Sequence, residues 1–282
     1  MDTLSLPKAA LFALILLTPK STSALVNSSH IVSASANGPI DADGTTDKLA
    51  DLRLPDGRTQ RVLIVRPSRP TATIVMLPGG DGDIGIERDG DLRHDRNFVV
   101  RTRTLWAARG YAVVIPDAVD DANLRGLRSA GDYATLIGHV VAFAHDTVKA
   151  PVFLLGTSQG AIAAMNGAAH ARRGAVAGLV LTESVSVRGG SGETVFDADP
   201  EAVRVPALVV ANRDDRCKVA PPSLAPKIAA AMTASPDVRV ICVSGGRKQS
   251  DSDCGSLTPH GYDGIEEAVV GRIADWLDAH RG

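Results

Sequence analysis

The chain has 282 residues, 44% of them hydrophobic and 22% charged, with a formal net charge of −2. This is the balance of an ordinary globular protein with one large or two small domains. It offers no basic stripe with interleaved aromatic residues, so no nucleic-acid partner is expected.

At the N-terminus Lys8 precedes AALFALILL, an apolar run too short to span a membrane. Small residues follow at Thr22 and Ala24. The pattern predicts a signal peptide over 1–24, cut after Ala24, and hence a secreted or periplasmic protein. No cysteine stands at the cleavage point to carry a lipid, and no stable membrane anchor is expected; the competing reading of the segment is a non-cleaved anchor. Residues 25–48 are rich in Ser, Ala, Asn and Asp and read as a flexible leader, which leaves 49–282 as the folded domain.

KLADLRLPDGRTQRVLIVRP alternates around Pro-Asp-Gly and predicts a β-hairpin. TATIVMLPGG is a short buried strand running into glycines, and FVVRTRTLWAARG reads as a helix stopped by Gly110. The strand YAVVIPD, a helix over GDYATLIGHVVAFAHD, the strand VFLLG and a helix from Gln159 to about Arg172 come next. The strands VAGLVLTE, ALVVANRDD and VRVICVSGG follow, the last two separated by a helix around SLAPKIAAAM; a helix over GIEEAVVGRIADWLDAH closes the chain. Strands that are apolar throughout, alternating with helices, imply an α/β fold: a mostly parallel sheet covered on both faces, with the hairpin as an antiparallel edge.

The chemistry centres on GTSQG, residues 156–160, where a strand pattern turns into a helix pattern. A sharp strand-to-helix turn would expose the Ser158 hydroxyl and crowd the residues two before and two after it, where Gly156 and Gly160 stand. Ala161, Ala163, Ala164 and Gly167 keep the following helix slim. The competing reading is a tight turn whose serine merely caps the helix.

With this motif in its strand-turn-helix context, the chain from about Leu49 to His280 resembles the α/β-hydrolase family. The resemblance implies an eight-stranded type of sheet and a Ser–acid–His triad in that chain order. A hydroxyl nucleophile needs a base, and the base needs an acid to orient it. His260, in LTPHGYDGIEE, lies late in the chain as the family requires, with Gly261 giving its loop freedom. His94 precedes the nucleophile, His139, His145 and His170 fall on helices, and His280 is at the frayed end. For the acid, Asn212 takes the family's turn position, which selects Asp215; Asp214 is the neighbouring register, and Glu183, ending the preceding strand, is the outside candidate.

The oxyanion should meet the backbone N–H of Gln159 and that of Gly80, with Asp81 as the alternative. The loop DGDIGIERDGD invites a calcium reading, but counted from Asp81 positions five and six are Gly85 and Ile86, which fails the EF-hand template; no metal and no cofactor are expected. Of the three cysteines, Cys217 follows the acid and Cys254 precedes the histidine, so a triad on those loops implies a Cys217–Cys254 disulfide, with Cys242 a buried free thiol.

The connection SVSVRGGSGETVFDADPEAVRVP lacks a sustained helical stripe, so no sizeable lid is expected. The expected function is a serine hydrolase acting on small carboxylic esters with short acyl groups, unless Ile84, Ile86 and Phe98 build an apolar wall. Peptidase, thioesterase and acyltransferase chemistry use the same machinery, and a non-catalytic binding protein on this scaffold is the rival from another class. Dehalogenases and epoxide hydrolases of this fold usually place Asp at the elbow, where this chain has Ser158.

Overall fold

Long apolar runs decide the centre of the molecule. Ala72–Leu77, Tyr111–Pro116, Val152–Thr157 and Ala207–Asn212 form strands buried at every position, as strands covered on both faces must be. The computed structural model describes residues 33–40, 45–87 and 89–281. In chain order the strands are β1 (Ser33–Ile40), β2 (Thr46–Arg53), β3 (Thr59–Arg66), β4 (Ala72–Leu77), β5 (Tyr111–Pro116), β6 (Val152–Thr157), β7 (Gly178–Thr182), β8 (Ala207–Asn212) and β9 (Val238–Val243). The helices are α1 (Phe98–Arg101), α2 (Arg103–Ala107), α3 (Gly131–Val148), α4 (Gln159–Ala169), α5 (Ala225–Ala231) and α6 (Glu266–Asp278).

All nine strands join one sheet in the order β1-β2-β3-β5-β4-β6-β7-β8-β9. Every pairing from β5 to β9 is parallel, whereas β1–β2, β2–β3 and β3–β5 are antiparallel. The sheet has one strand more than the eight implied by the resemblance. The extra strand is β1, whose Ala34 stands opposite Ala50 of β2. The folded part thus begins before Leu49. A Ser- and Ala-rich stretch carries no strand signal of its own, but the open edge of β2 supplies a hydrogen-bond ladder for it. The expected signal peptide, 1–24, lies outside the described residues.

Two-residue periodicity divides the strand side chains between two cores. Val75, Leu77, Leu154, Leu179 and Val209 face α3, α4 and α5, packing with Ile137, Ile162 and Ile228. Ile74, Met76, Phe153, Leu155, Val180 and Leu208 face the other way, against Trp106, Val269, Ile273 and Trp276 of α2 and α6. The segment 98–107, expected as one helix, breaks at Thr102 into α1 and α2. The Thr102 hydroxyl donates back to the Phe98 carbonyl at 2.7 Å and accepts from the Trp106 indole at 3.3 Å, a side-chain bond that competes with the helical ladder.

Between β7 and β8 only two short 3-10 turns form, at Val195–Asp197 and Pro200–Ala202, so no helical lid is inserted there. Among the described residues no helix is long and apolar enough to cross a membrane.

Candidate active site

Ser158 sits between the C-terminal end of β6 and the first residue of α4, with φ 53° and ψ −119°. A non-glycine residue in that region is strained and is held there by its surroundings. Those surroundings explain both flanking glycines. A Cβ on Gly156 would lie 2.1 Å from the Gly160 carbonyl oxygen, and a Cβ on Gly160 would lie 2.1 Å from that of Leu77. Nothing but a glycine pair lets the turn close. Gly167 serves the same end further along α4, where a Cβ would come within 2.5 Å of Ile137. The Ser158 side chain makes no capping hydrogen bond to its helix, which removes the capping reading.

Instead the Ser158 hydroxyl lies 2.9 Å from Nε2 of His260, and Nδ1 of His260 lies 2.7 Å from Oδ2 of Asp215. A carboxylate only accepts, so the proton between the last pair belongs to Nδ1, and Nε2 is left as the acceptor for the serine hydroxyl. Asp215 and His260 are 7% and 3% exposed. The second Asp215 oxygen, Oδ1, accepts from the Cys217 N–H at 2.8 Å. Ser158, His260 and Asp215 thus form a serine-hydrolase triad built from three separate loops at the C-terminal edge of the sheet, where open α/β sheets bind their ligands.

No protein-family model and no curated protein matches the sequence. Solved structures do. An S-formylglutathione hydrolase from Agrobacterium tumefaciens is 10% identical at a TM-score of 0.61, over 89% of this chain and 100% of that one. A dienelactone hydrolase from Anabaena variabilis is 13% identical at 0.58, over 84% and 99%. An α/β serine hydrolase homologue from Coxiella burnetii is 18% identical at 0.56, over 80% and 96%. The chain has the α/β-hydrolase fold.

Within this α/β-hydrolase fold, Asp214 is exposed and spends its carboxylate on the Gly245 N–H at 2.6 Å, away from the imidazole. Asn212 opens the turn to the acid, its carbonyl accepting from the Asp215 N–H at 3.0 Å and its Oδ1 from the Asp214 N–H at 3.1 Å, and it has a second role. It ends β8, wholly buried, and its side-chain amide donates to the carbonyls of Gly245 at 2.9 Å and Pro259 at 3.0 Å. It is a clamp between the acid loop and the histidine loop. Glu183 is 1% exposed with φ 42°, and its Oε1 accepts from the Asn212 N–H at 2.6 Å.

The Cys217–Cys254 disulfide joins the same two loops. Cys242 is free but exposed, contrary to the expectation of a buried thiol. It lies on β9, an edge strand, where Ile241 and Val243 pack towards α6 while Cys242 points to the face that α5 leaves open. Gly261 is needed for space more than for freedom: a Cβ there would lie 2.0 Å from the Ser256 carbonyl oxygen. The positive φ falls on Tyr262 instead, at 58°. Arg101, which sequence reasoning passed over, fastens this loop by donating to the Gly261 carbonyl and to Glu266. Thr258 caps the His260 N–H at 3.1 Å.

The cleft over Ser158 has a volume of about 540 Å³. Its walls come from the loop after β4 and from the histidine loop, and they are polar: Asp81, Asp83, Arg93, His94, Arg96 and Ser256. Ile84, Ile86 and Phe98 do not build an apolar wall, because they are drawn into the core at 1%, 4% and 2% exposure, although Phe98 shows an edge to the cleft. Asp117 pins this loop from below, accepting from the N–H groups of Ile84, Gly85, Ile86 and Ala118. In the calcium-like stretch, Asp83 is paired with Arg93 at 3.4 Å and Asp81 with Arg125 at 3.8 Å.

Gly79 packs against the nucleophile, since a Cβ there would lie 3.1 Å from Cβ of Ser158. Its carbonyl accepts from the Gly82 N–H at 3.2 Å, and the Gly80 carbonyl accepts from Arg128 at 3.1 Å. Because the peptide is trans, the Gly80 N–H points opposite to the Gly79 carbonyl. The Gln159 side chain turns away to Ser191 at 3.0 Å, which leaves its backbone N–H at the start of α4. Among the described residues, the one cluster with metal-ligand side chains is Glu183, Asp215 and His260, and both imidazole nitrogens there are already engaged.

Proposed function

We propose that this protein is an exported serine hydrolase that cleaves small carboxylic esters with short acyl groups. The observation that carries the reading is the unbroken chain from Ser158 through His260 to Asp215, set on a strained elbow in an open polar cleft.

In the first half-reaction the Ser158 hydroxyl attacks the ester carbonyl while Nε2 of His260 takes its proton. Asp215 holds Nδ1–H and stabilises the imidazolium. The N–H groups of Gly80 and Gln159 receive the negative charge that develops on the carbonyl oxygen, and each such donor is worth roughly 3–4 kcal/mol in the transition state. His260 returns the proton to the departing alcohol, leaving an acyl-serine. Water, deprotonated by the same nitrogen, then releases the carboxylic acid and restores Ser158.

The substrate class rests on the walls. An acyl chain gains about 0.8 kcal/mol per buried methylene only against apolar surface, and most side chains that line the cleft are polar or charged. Export rests on the Lys8-plus-apolar N-terminus and agrees with a disulfide, which persists in oxidising compartments. The similar structures are those of proteins named as hydrolases, which is in keeping with this reading.

A fluorophosphonate should label Ser158 and no other residue, and the label should be lost in Ser158→Ala. The same protein should hydrolyse p-nitrophenyl acetate. Absence of both in folded protein refutes the proposal. N-terminal sequencing of the protein recovered from the medium or periplasm should begin at Leu25.

A further inference from the structure

Glu183 is the one buried carboxyl next to the triad that the mechanism above does not use. It is 1% exposed at the end of β7. A Glu183 oxygen, an Asp215 oxygen and a His260 ring nitrogen all lie within 4.8 Å of one another. The donors around the two acids are unequal. Asp215 receives two, the Cys217 N–H on Oδ1 and His260 Nδ1–H on Oδ2. Glu183 receives the Asn212 N–H on Oε1, while its Oε2 is buried and accepts no hydrogen bond. The remaining titratable group facing Glu183 is Tyr262, fully buried, whose hydroxyl donates to the Val210 carbonyl at 3.3 Å. Among the described residues, the groups that act most strongly on Glu183 and Tyr262 include no lysine or arginine to balance a second negative charge.

Two carboxylates this close in a dry site cannot both be ionised, and the proton goes to the one with fewer donors. We propose that Glu183 is a neutral carboxylic acid whose Oε2–H donates to Asp215, making it a positioning residue that acts on His260 through Asp215. The proton fills the place of the unused Oε2 acceptor and gives Asp215 a third donor. Asp215 is thereby held in one orientation, with its negative charge shared across the hydrogen bond. The shared proton stays on Nδ1 of His260, and Nε2 stays free to take the proton of Ser158. No proton leaves Glu183 during turnover. Burial first, then the Asp215 charge and side chain, hold Glu183 well above the usual carboxyl range, against the smaller lowering pull of the Tyr262 hydroxyl and the Asn212 N–H, in keeping with the assignment. The role in turnover rests on the ester-hydrolase reading; the protonation state does not.

The test compares wild type with Glu183→Gln, which keeps a donor without a charge, and Glu183→Leu, which keeps neither. At about pH 8, where free carboxyl groups are ionised, the infrared spectrum of wild type should show a protonated-carboxyl band that is missing from Glu183→Gln. The His260 Nδ1–H resonance, followed by NMR, should titrate alike in wild type and Glu183→Gln. In Glu183→Leu its midpoint should rise by about one pH unit, because Asp215 regains its full charge. With p-nitrophenyl acetate, kcat should fall about tenfold in Glu183→Leu at unchanged KM, the loss expected for one hydrogen bond to a charged group, and stay near wild type in Glu183→Gln.

Absence of the band in wild type overturns the proposal. So does an unshifted His260 midpoint in Glu183→Leu, or a Glu183→Gln variant with a displaced midpoint. Should Glu183→Leu fail to fold, the band and the Glu183→Gln titration still decide. The band and midpoints as expected in a protein that cleaves no ester would uphold the neutral Glu183 and sink the ester-hydrolase reading alone.

Discussion

The sulfur atoms of Cys217 and Cys254 are bonded, so the residue two positions after Asp215 is tied to the residue six positions before His260. Two loops that must meet for catalysis are thus held together by a covalent bond and by the Asn212 amide. In the chain-entropy account, closing a loop of this length is worth roughly 4 kcal/mol. Cys254→Ser should therefore lower unfolding stability by about that amount in urea titrations and reduce kcat, while far-UV circular dichroism stays native. Non-reducing peptide mapping of the exported protein should find the Cys217–Cys254 pair intact and Cys242 free to alkylate.

The triad should behave as a unit. Ser158→Ala and His260→Ala should each lower kcat/KM by roughly 10⁴-fold or more, and the double variant by little beyond that. Asp215→Asn should cost less than either, and clearly more than Asp214→Asn, whose carboxylate faces Gly245 instead of the imidazole. Near-normal turnover in Ser158→Ala would end the assignment.

The elbow makes a stability prediction. Gly160→Ala must displace a backbone carbonyl 2.1 Å away, which no side-chain adjustment relieves. It should abolish soluble protein or lower stability by more than about 3 kcal/mol. Gly57→Ala, in open space at φ 88°, should cost only about 1–2 kcal/mol, because it carries backbone strain alone.

Substrate length follows from the polar walls. From p-nitrophenyl acetate to palmitate, kcat/KM should peak at short chains and show no jump at the critical micelle concentration. A steady climb beyond octanoate would contradict the open polar cleft.

Glu183 also predicts how stability varies with pH. Its folded pKa is raised, so above the ordinary carboxyl value the folded chain holds a proton that the unfolded chain has released. Wild type should therefore lose stability as pH rises from about 5 towards the folded value. Glu183→Gln removes that loss, so the variant should gain on wild type with rising pH in parallel urea titrations. A constant difference between the two would mean that Glu183 is ionised in the fold.

Much of this was legible because it follows from local rules. An apolar run ending in Gly-Thr-Ser-Gln-Gly states a strand, a tight turn and a helix, and the chain order of acid and histidine follows from the resemblance. Less legible were features that depend on which segments meet. Asn212 reads as a turn residue, which it is, but its second role as a clamp shows only when Pro259 and Gly245 come beside it. Arg101 is one arginine of many until its helix faces the Gly261 carbonyl. The exposure of Cys242 turns on β9 being last in the sheet, and β1 on the free edge of β2; neither is written in its own residues. Ile84 and Ile86 lie in a segment that reads as a rim, yet Asp117 holds their backbone N–H groups and both side chains sit in the core, where Phe98 joins them from the start of α1.

The short connection between β7 and β8 bears on timing. An enzyme with a hinged cover spends part of each cycle waiting for it to open. Here that connection is pinned by Glu193, which accepts from the N–H groups of Gly126 and Ser129 and from the Ser129 hydroxyl. With no hinged helix inserted there, the expected slow event in each cycle is bond-breaking at Ser158, and the rate at saturating substrate should be indifferent to solvent viscosity.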